Sequence, residues 1–321
     1  MAAPVIGFHA SHEQFAPDRL LRLVQAAEAA GFDAAMCSDH WAPWSEEQGE
    51  SGFAWSWLGA ALQATSLPFG VVNAPGQRYH PAIIAQAAAT LGVMFPDRFW
   101  IAVGSGQLVN EHITGDAWPV KDERNRRLRE AADIMRRLWA GETVTHADAV
   151  RVSEARLWTR PERPPQLVGA AVTPETAGWV AGWADALITV SQPDDQLDRI
   201  VEAFRTGGGE GKPMYLQVHL AYAPSETEAR DAAFVQWRQN TLANSVMTEL
   251  AHPVQIAAAA AHVTRGDLDS AVRISSDVGR HVEWLRGDIE RGFDALYLHE
   301  VGPNQERFVE TFGREVLPRV R

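Results

Sequence analysis

The stretch Pro4–Asp39, PVIGFHASHEQFAPDRLLRLVQAAEAAGFDAAMCSD, reads as strand, helix, strand. Pro4 to Ala10 is a short apolar run. From Pro17 to Ala30, residues Leu20, Leu21, Val24, Ala27 and Ala30 recur at helical spacing. Pro17 suits a first helical turn, where a missing N–H costs nothing. Gly31 suits the left-handed position just past a helix end. Ala34 to Asp39 is apolar again until its last two residues. Two strands joined by a helix are the building unit of a parallel sheet.

The same alternation continues along the chain. Phe69–Ala74, Phe99–Ser105, Gln166–Ala171, Ala186–Val190, Met214–Ala221 and Ala295–Val301 read as further strands. Phe53–Ala64, Pro81–Met94 and Arg124–Ala140 read as helices between them. That makes eight candidate strands in one α/β domain, 1–321, and eight such units close naturally into a (β/α)₈ TIM barrel. A doubly wound open sheet has the same periodicity and is the competing arrangement. Two segments break the rhythm. Trp139–Pro165 looks like a short β excursion, and Ala233–Ser276 like a helical lid inserted at the C-terminal face of the barrel.

Composition narrows the function. The chain has 321 residues, 46% hydrophobic, with 29 Lys+Arg against 41 Asp+Glu and a net charge of −12. So acidic a chain repels nucleic acid and anionic membrane, and neither is an expected partner. Cys37 is the single cysteine, so no intramolecular disulfide and no thiolate zinc site can form, and no metal is expected. No signal peptide or membrane-spanning run is visible, and a cytoplasmic location is expected.

In a TIM barrel the active site lies at the C-terminal ends of the strands. That rule selects His9, Ser11, His12 and Glu13 after the first strand, and Ser38-Asp39-His40 with Trp41 and Trp44 after the second. Asn73 and Ala74 follow the third. Gly104-Ser105-Gly106-Gln107, Asn110 and Glu111 follow the fourth, and Ala171-Val172-Thr173 the fifth. His219, His299 and Glu300 end the last two strands, either lining a pocket or satisfied by their neighbours. His40 is of the type that exchanges protons near neutral pH; the alternative is a hydrogen-bonded strand-end histidine. Trp41 and Trp44 either flank a planar ligand or pack in the core, and packing suits Trp41 better. Glu13 either orients a donor or is a solvated acid. Gly104-Ser105-Gly106 lets the backbone approach a flat ring or a phosphate, or simply makes a tight turn. Thr173-Pro174 looks like a helix N-cap and first residue, an end that favours a phosphate, although most capped helices bind nothing. No Walker loop, no HExxH and no Gly-x-Ser-x-Gly elbow is present.

The run Ser38-Asp39-His40-Trp41-Ala42-Pro43-Trp44 resembles the SDHxxPW segment of the luciferase-like oxidoreductases, in the branch that contains coenzyme F-420-dependent glucose-6-phosphate dehydrogenase. Ala10–Phe15, Pro81–Gln86, Val103–Gly106 with Asn110-Glu111, and Arg314–Arg319 resemble that branch in the same order. The resemblance implies a bacterial-luciferase-like barrel, hydride transfer between a flavin or deazaflavin and a small organic substrate, and a homodimer. It implies His40 as the base, Trp44 as stabiliser of developing charge and Glu13 as holder of His40 or the substrate. It places Asp39, Gly106 and Asn110 against the coenzyme. Val72, Asn73, Ala74, Gly104, Ala171, Val172 and Thr173 complete the expected coenzyme-binding set.

The departures shape the expectation further. Gln107 stands where the family usually has a proton-donating glutamate, with Glu111 one turn on as the compensating acid. The third-strand loop is one residue shorter, so the bulge behind the ring, often a non-proline cis peptide, is expected to differ. The loop Val190–Asp195 has no phosphate-binding lysine, so glucose 6-phosphate looks a poor substrate. These differences favour FMN over F-420 as the expected coenzyme. The alternatives are an F-420-dependent dehydrogenase, an FMN-dependent monooxygenase and, more remotely, a non-catalytic flavin-binding protein.

Overall fold

A computed structural model describes residues 4–321. Along these residues run β1 (Val5–Ala10), β2 (Ala34–Ser38), β3 (Phe69–Asn73), β4 (Phe99–Val103), β5 (Val144–Ala147), β6 (Arg151–Ala155), β7 (Gln166–Ala170), β8 (Ala186–Val190), β9 (Met214–Ala221), β10 (Arg273–Ile274) and β11 (Ala295–Glu300). Neighbours follow the order β1-β2-β3-β4-β7-β8-β9-β11, and β11 pairs back onto β1 with Val5 opposite Ala295. Every one of these ladders is parallel. Pairing of β8 with β9, Leu187 opposite Met214, rules out the open doubly wound sheet. The chain is an eight-stranded parallel barrel wrapped in helices. β5 and β6 form an antiparallel hairpin outside it, the excursion expected from the sequence.

The helices start and stop where the sequence punctuates them. Pro17, Pro81 and Pro174 open the helices Pro17–Ala29, Pro81–Met94 and Pro174–Ala181. Gly31, at φ 95°, ends the first with the backbone that glycine favours. That helix buries Leu20, Leu23, Val24 and Ala27, while Leu21 and Ala30 only flank the core. All peptide bonds among the described residues are trans.

Closure forces the barrel to fill its own interior. Outward residues such as Ile6, Phe8, Phe69 and Ile101 pack under the helices. Inward residues make a second cluster of Ala34, Met36, Trp100, Ala102, Val168, Ala186, Ile188, Ala295 and Tyr297. Large residues sit beside absent side chains. Gly7 pairs in register with Tyr297, and Gly70 with Trp100. A Cβ on Gly7 would lie 2.4 Å from the Tyr297 ring, and one on Gly70 1.9 Å from the Trp100 ring. The Trp100 indole N–H donates to the Tyr297 hydroxyl at 3.1 Å, so the one buried polar tip satisfies the other.

The insertion after β9 holds helix Glu226–Trp237, short helical turns, helix Pro253–Ala259 and β10. It packs across the C-terminal rim. The Gln48 side chain donates to Gln236 O, and the Leu108 backbone N–H donates to Thr248 O. Met247 and Ile256 pack with Val109, Ala42 and Trp44.

Gly70→Ala should overfill the barrel and lower unfolding free energy by about 1–3 kcal/mol. Gly59→Ala, in helix Ala54–Ala64 with open space around it, should instead raise stability by about 0.4–1 kcal/mol. Thermal melts of the two variants check the contrast; equal melting temperatures would contradict this packing.

Candidate functional site

The rim is tied together through Asp39, which follows β2. Its carboxylate is fully buried. Oδ2 accepts from Asn73 Nδ2 at 2.7 Å and from the Trp55 indole at 3.1 Å. Oδ1 accepts from the Tyr79 hydroxyl at 3.1 Å. Arg78 Nη2 donates to Asp39 O at 2.8 Å and lies 3.6 Å from Oδ1. A buried charge persists only when donors satisfy it on every side. Asp39 therefore fastens β2, β3 and helix Ala54–Ala64 to one another. The carboxylate is enclosed, and Asp39 as a whole is only 3% exposed.

His40 sits one residue on. Its Nδ1 lies 3.2 Å from Glu13 Oε1, and its ring meets Trp44 edge-on at 4.7 Å. Glu13 Oε2 accepts from the Ser38 hydroxyl at 2.6 Å and the Ser11 hydroxyl at 3.0 Å. Burial pushes the Glu13 carboxyl up, but the His40 ring, the Ser38 hydroxyl and His9 together hold it below the usual carboxylate range. Burial lowers the His40 pKa, with the Glu13 charge opposing and Arg78 assisting, so the imidazole is neutral at pH 7. Glu13 occupies the Nδ1 side, which leaves Nε2 for a ligand. Trp44 packs against the insertion beside Met247. Trp41, expected to pack in the core, is 55% exposed.

Beside this pair, the ends of β3 and β4 form a cleft between Ala74–Gln77 and Gly104–Gly106, walled by Glu111 and Trp118. Gly106 has φ 81°, and a Cβ there would meet Glu111 Cγ at 3.2 Å and Ala74 Cβ at 3.5 Å. Gly104 opens toward Ala170 on β7. Val72 lies inward on β3 and packs on the interior cluster. Ser105 Oγ accepts from Lys121 Nζ at 2.7 Å. Gln107 stands at the N-cap of the short helix Leu108–Glu111 without capping it. Its Oε1 is 3.5 Å from Asn110 Nδ2, and Asn110 Oδ1 accepts from Trp41 N at 2.9 Å. Glu111 Oε2 accepts from the Arg78 backbone N–H at 2.6 Å. Burial raises the Glu111 carboxyl to about 7, with Arg78 pulling down and Asp39 adding to the rise.

After β7, Ala171 is buried and Val172 O accepts from Gln192 Nε2 at 3.2 Å. Thr173 caps helix Pro174–Ala181, its hydroxyl accepting from Thr176 N at 3.3 Å. The sequence-selected residues thus share one rim. Along it Asn73 Oδ1, Gln77 Oε1 and Trp118 Nε1, like His40 Nδ1, Arg78 Nε and Glu111 Oε1, are buried without a hydrogen-bond partner among the described residues. Unpartnered polar atoms over a cleft floored by two glycines suit a flat, polar coenzyme ring.

One placement was not foreseen. Arg78, over the Tyr79 ring at 4.4 Å and nearly buried, faces both Asp39 and Glu111. Its only signal in the sequence is a lone cation in the short loop between β3 and Pro81. Glu300 takes the second of its two expected roles and is satisfied by its neighbours. Its carboxylate accepts from Gly302 N at 2.7 Å and Tyr222 N at 2.8 Å, and burial raises it to about 8.

Comparison with known proteins matches this architecture. The luciferase-like monooxygenase family model matches residues 2–295. The chain belongs to the luciferase-like monooxygenase family. It is 34% identical to the F420-dependent glucose-6-phosphate dehydrogenase of Microbacterium testaceum, over 98% of this chain and 97% of that one. It is 33% identical to the Mycobacterium tuberculosis enzyme of the same name, over 100% and 99%. Among solved structures, an F420-dependent secondary alcohol dehydrogenase in complex with an F420-acetone adduct superposes with TM-score 0.91 at 28% identity, covering both chains fully. The F420-dependent tetrahydromethanopterin reductase of Methanopyrus kandleri, 18% identical with TM-score 0.80 over both full chains, shares the fold. The chain is an oxidoreductase by family. Its relatives favour the deazaflavin held as the alternative in the sequence reading and do not support FMN as the main coenzyme. No helix among the described residues is long and apolar enough to cross a membrane.

Arg78→Met leaves Asp39 and Glu111 facing each other without a buried cation. Removing one partner of a buried ion pair costs about 3–5 kcal/mol, which urea unfolding at pH 7 should show. A loss below ~1 kcal/mol would mean that Arg78 does not hold the rim.

Proposed function

We propose that the protein is a coenzyme F-420-dependent dehydrogenase that oxidises an alcohol of a small organic substrate to the carbonyl. The observation that carries this reading is the Glu13–His40 pair, a buried carboxylate set 3.2 Å from Nδ1 of an otherwise neutral imidazole. When bound, F-420 supplies the ring carbon that accepts the hydride from the substrate's carbinol carbon. His40 Nε2 takes the hydroxyl proton. Glu13 keeps the ring oriented and stabilises the imidazolium as it forms, the division of labour of a carboxylate–histidine base. The Trp44 ring edge against His40 limits water on that side.

The Ala74–Gln77 and Gly104–Gly106 loops, with Val72, Asn73 and Asn110, would hold the ring. Val172 and Thr173, at the capped start of helix Pro174–Ala181, would meet the phosphate with backbone N–H groups, with Ala171, whose N–H donates to Ile188 O, shaping the turn, and Lys121 beside Ser105 adds a cation. Gln107 hydrogen-bonds but gives up no proton. Glu111, raised to about 7 and packed behind Gly106, is the carboxyl on this rim that holds a proton at neutral pH and can release it. The relatives' deazaflavin dependence supports F-420. Gln107, with the shorter third-strand loop and the lysine-free loop Val190–Asp195, favours the second reading, FMN with oxygen. A homodimer and a cytoplasmic location belong to this proposal on resemblance alone.

His40→Ala should lower kcat for F-420 reduction by an alcohol by about 10²–10⁴ while leaving coenzyme binding intact. Because the His40 pKa is depressed, the free base persists through neutral pH. kcat/KM should therefore fall only below about pH 6.5, approaching tenfold per unit. Undiminished turnover in the alanine variant would sink the assignment of the base.

A further inference from the structure

Next to the Glu13–His40 pair the inward layer of the barrel is built of imidazoles. His9, His219 and His299 come from β1, β9 and β11, and none is more than 3% exposed. The His9 and His299 rings lie 4.3 Å apart, and those of His219 and His299 5.4 Å apart. Trp237, from the insertion, covers them at 5.3 Å from His219 and 4.6 Å from His299.

The side-chain amides around these rings favour their neutral forms. Gln14 Nε2 donates to Val301 O at 2.8 Å and to Gln236 Oε1 at 3.0 Å. That turns Gln14 Oε1 toward His299 Nε2, at 2.8 Å, so Nε2 carries the proton and Nδ1 must accept. Gln217 Nε2 stands 3.2 Å from His299 Nδ1 and 3.3 Å from His219 Nε2. Asn240 Nδ2 stands 3.1 Å from His219 Nδ1, so NH₂ groups face both nitrogens of that ring. An imidazolium could accept from none of these amides, so neither ring is an imidazolium. Burial acts in the same direction, taking His219 to about 3 and His9 to about 4, Glu13 opposing only at His9. Arg273 is the cation that bears on His219, and its two Nη atoms are both engaged by Asp288, at 2.5 and 2.9 Å.

One polar atom of the layer is left over. His9 Nδ1 is buried and has no partner among the described residues. Three close histidines invite a metal reading. Here the nitrogens of two are turned to side-chain amides, and no group of His, Cys, Asp or Glu among the described residues could hold a metal ion.

We propose that this layer, His9, His219 and His299 with Gln217 and Asn240, selects the substrate, and that it takes a small alcohol bearing no phosphate or carboxylate. The inference rests on the dehydrogenase reading above. Neutral rings and amides can share hydrogen bonds with a substrate oxygen, and His9 Nδ1 is free to do so. An anion brought here would lose its hydration and meet no unpaired cation. Trp44 and Trp237, which pack in one apolar cluster, supply walls for a hydrocarbon body.

The test compares 2-propanol and cyclohexanol with glucose 6-phosphate and lactate, by F-420 absorbance with the wild-type enzyme and by ligand-observed NMR without coenzyme. The uncharged alcohols should lead in kcat/KM by ~10²-fold or more, and millimolar inorganic phosphate should leave their KM unchanged. His219→Lys should shift the ratio toward the anions by ~10-fold or more. Glucose 6-phosphate used or bound as well as the uncharged alcohols, or competition by phosphate, overturns the proposal whether or not the lysine variant folds. The NMR arm needs no turnover. Failure of every alcohol to reduce F-420 would sink the dehydrogenase reading, whereas preferential binding of the phosphorylated compound sinks the selection layer.

Discussion

A parallel sheet that closes on itself has no edge to protect, but it must fill the space it encloses. Here that space is filled by pairing Trp100 and Tyr297 with strand neighbours that have no side chain, Gly70 and Gly7. Alanines at 34, 102, 186 and 295 take up what the two aromatics leave. Because this packing holds the β1, β2, β3 and β4 ends on one rim, Glu13, His40, Asn73 and Gly106 meet although up to 93 positions separate them in sequence. The interior then changes character along its axis, from aromatic and small residues to the imidazole layer near His40.

On the rim, charge does what packing does below. Asp39 draws Asn73, Trp55, Tyr79 and Arg78 around one carboxylate, and Arg78 carries the link on to Glu111. The loops after β2, β3 and β4 are thereby set before any ligand arrives. Pre-organised loops of this kind hold the His40 ring and the Glu111 carboxyl in place without spending binding energy on ordering them. Glu13 and Glu111 are both buried, yet they sit on opposite sides of the ordinary range. Hydroxyls and an imidazole surround the first, while burial dominates the second.

Much of this could be read from the sequence, for identifiable reasons. Strands buried on both faces give continuous apolar runs, and Pro17, Pro81, Pro174 and Gly31 mark helix ends by their own backbone limits. His40, Glu13 and Trp44 were singled out because strand C-terminal ends carry barrel chemistry and because SDHWAPW is distinctive, and the fold brings the three side by side. Arg78 escaped because a single arginine in a loop looks like solvated charge; only the fold shows it enclosed by two carboxylates. Trp41 and Trp44 are three residues apart, and composition could not say which of them faces water. Glu300 stayed open in the sequence because a strand-end acid is as easily bound by backbone N–H groups as it is turned into a pocket. The preference for FMN leaned on Gln107, the shorter third-strand loop and the lysine-free loop Val190–Asp195, and a few local departures are weak ground against relatives that share nearly the whole chain and are named for F-420.

The coenzyme is the claim on which the rest of the function stands, and equilibrium titration addresses it directly. The purified protein would be titrated with F-420 and, separately, with FMN, following ring absorbance and fluorescence. The account predicts saturable F-420 binding at least ~10-fold tighter than FMN, a gap of about 1.4 kcal/mol. Tight FMN binding with weak or absent F-420 binding would contradict it.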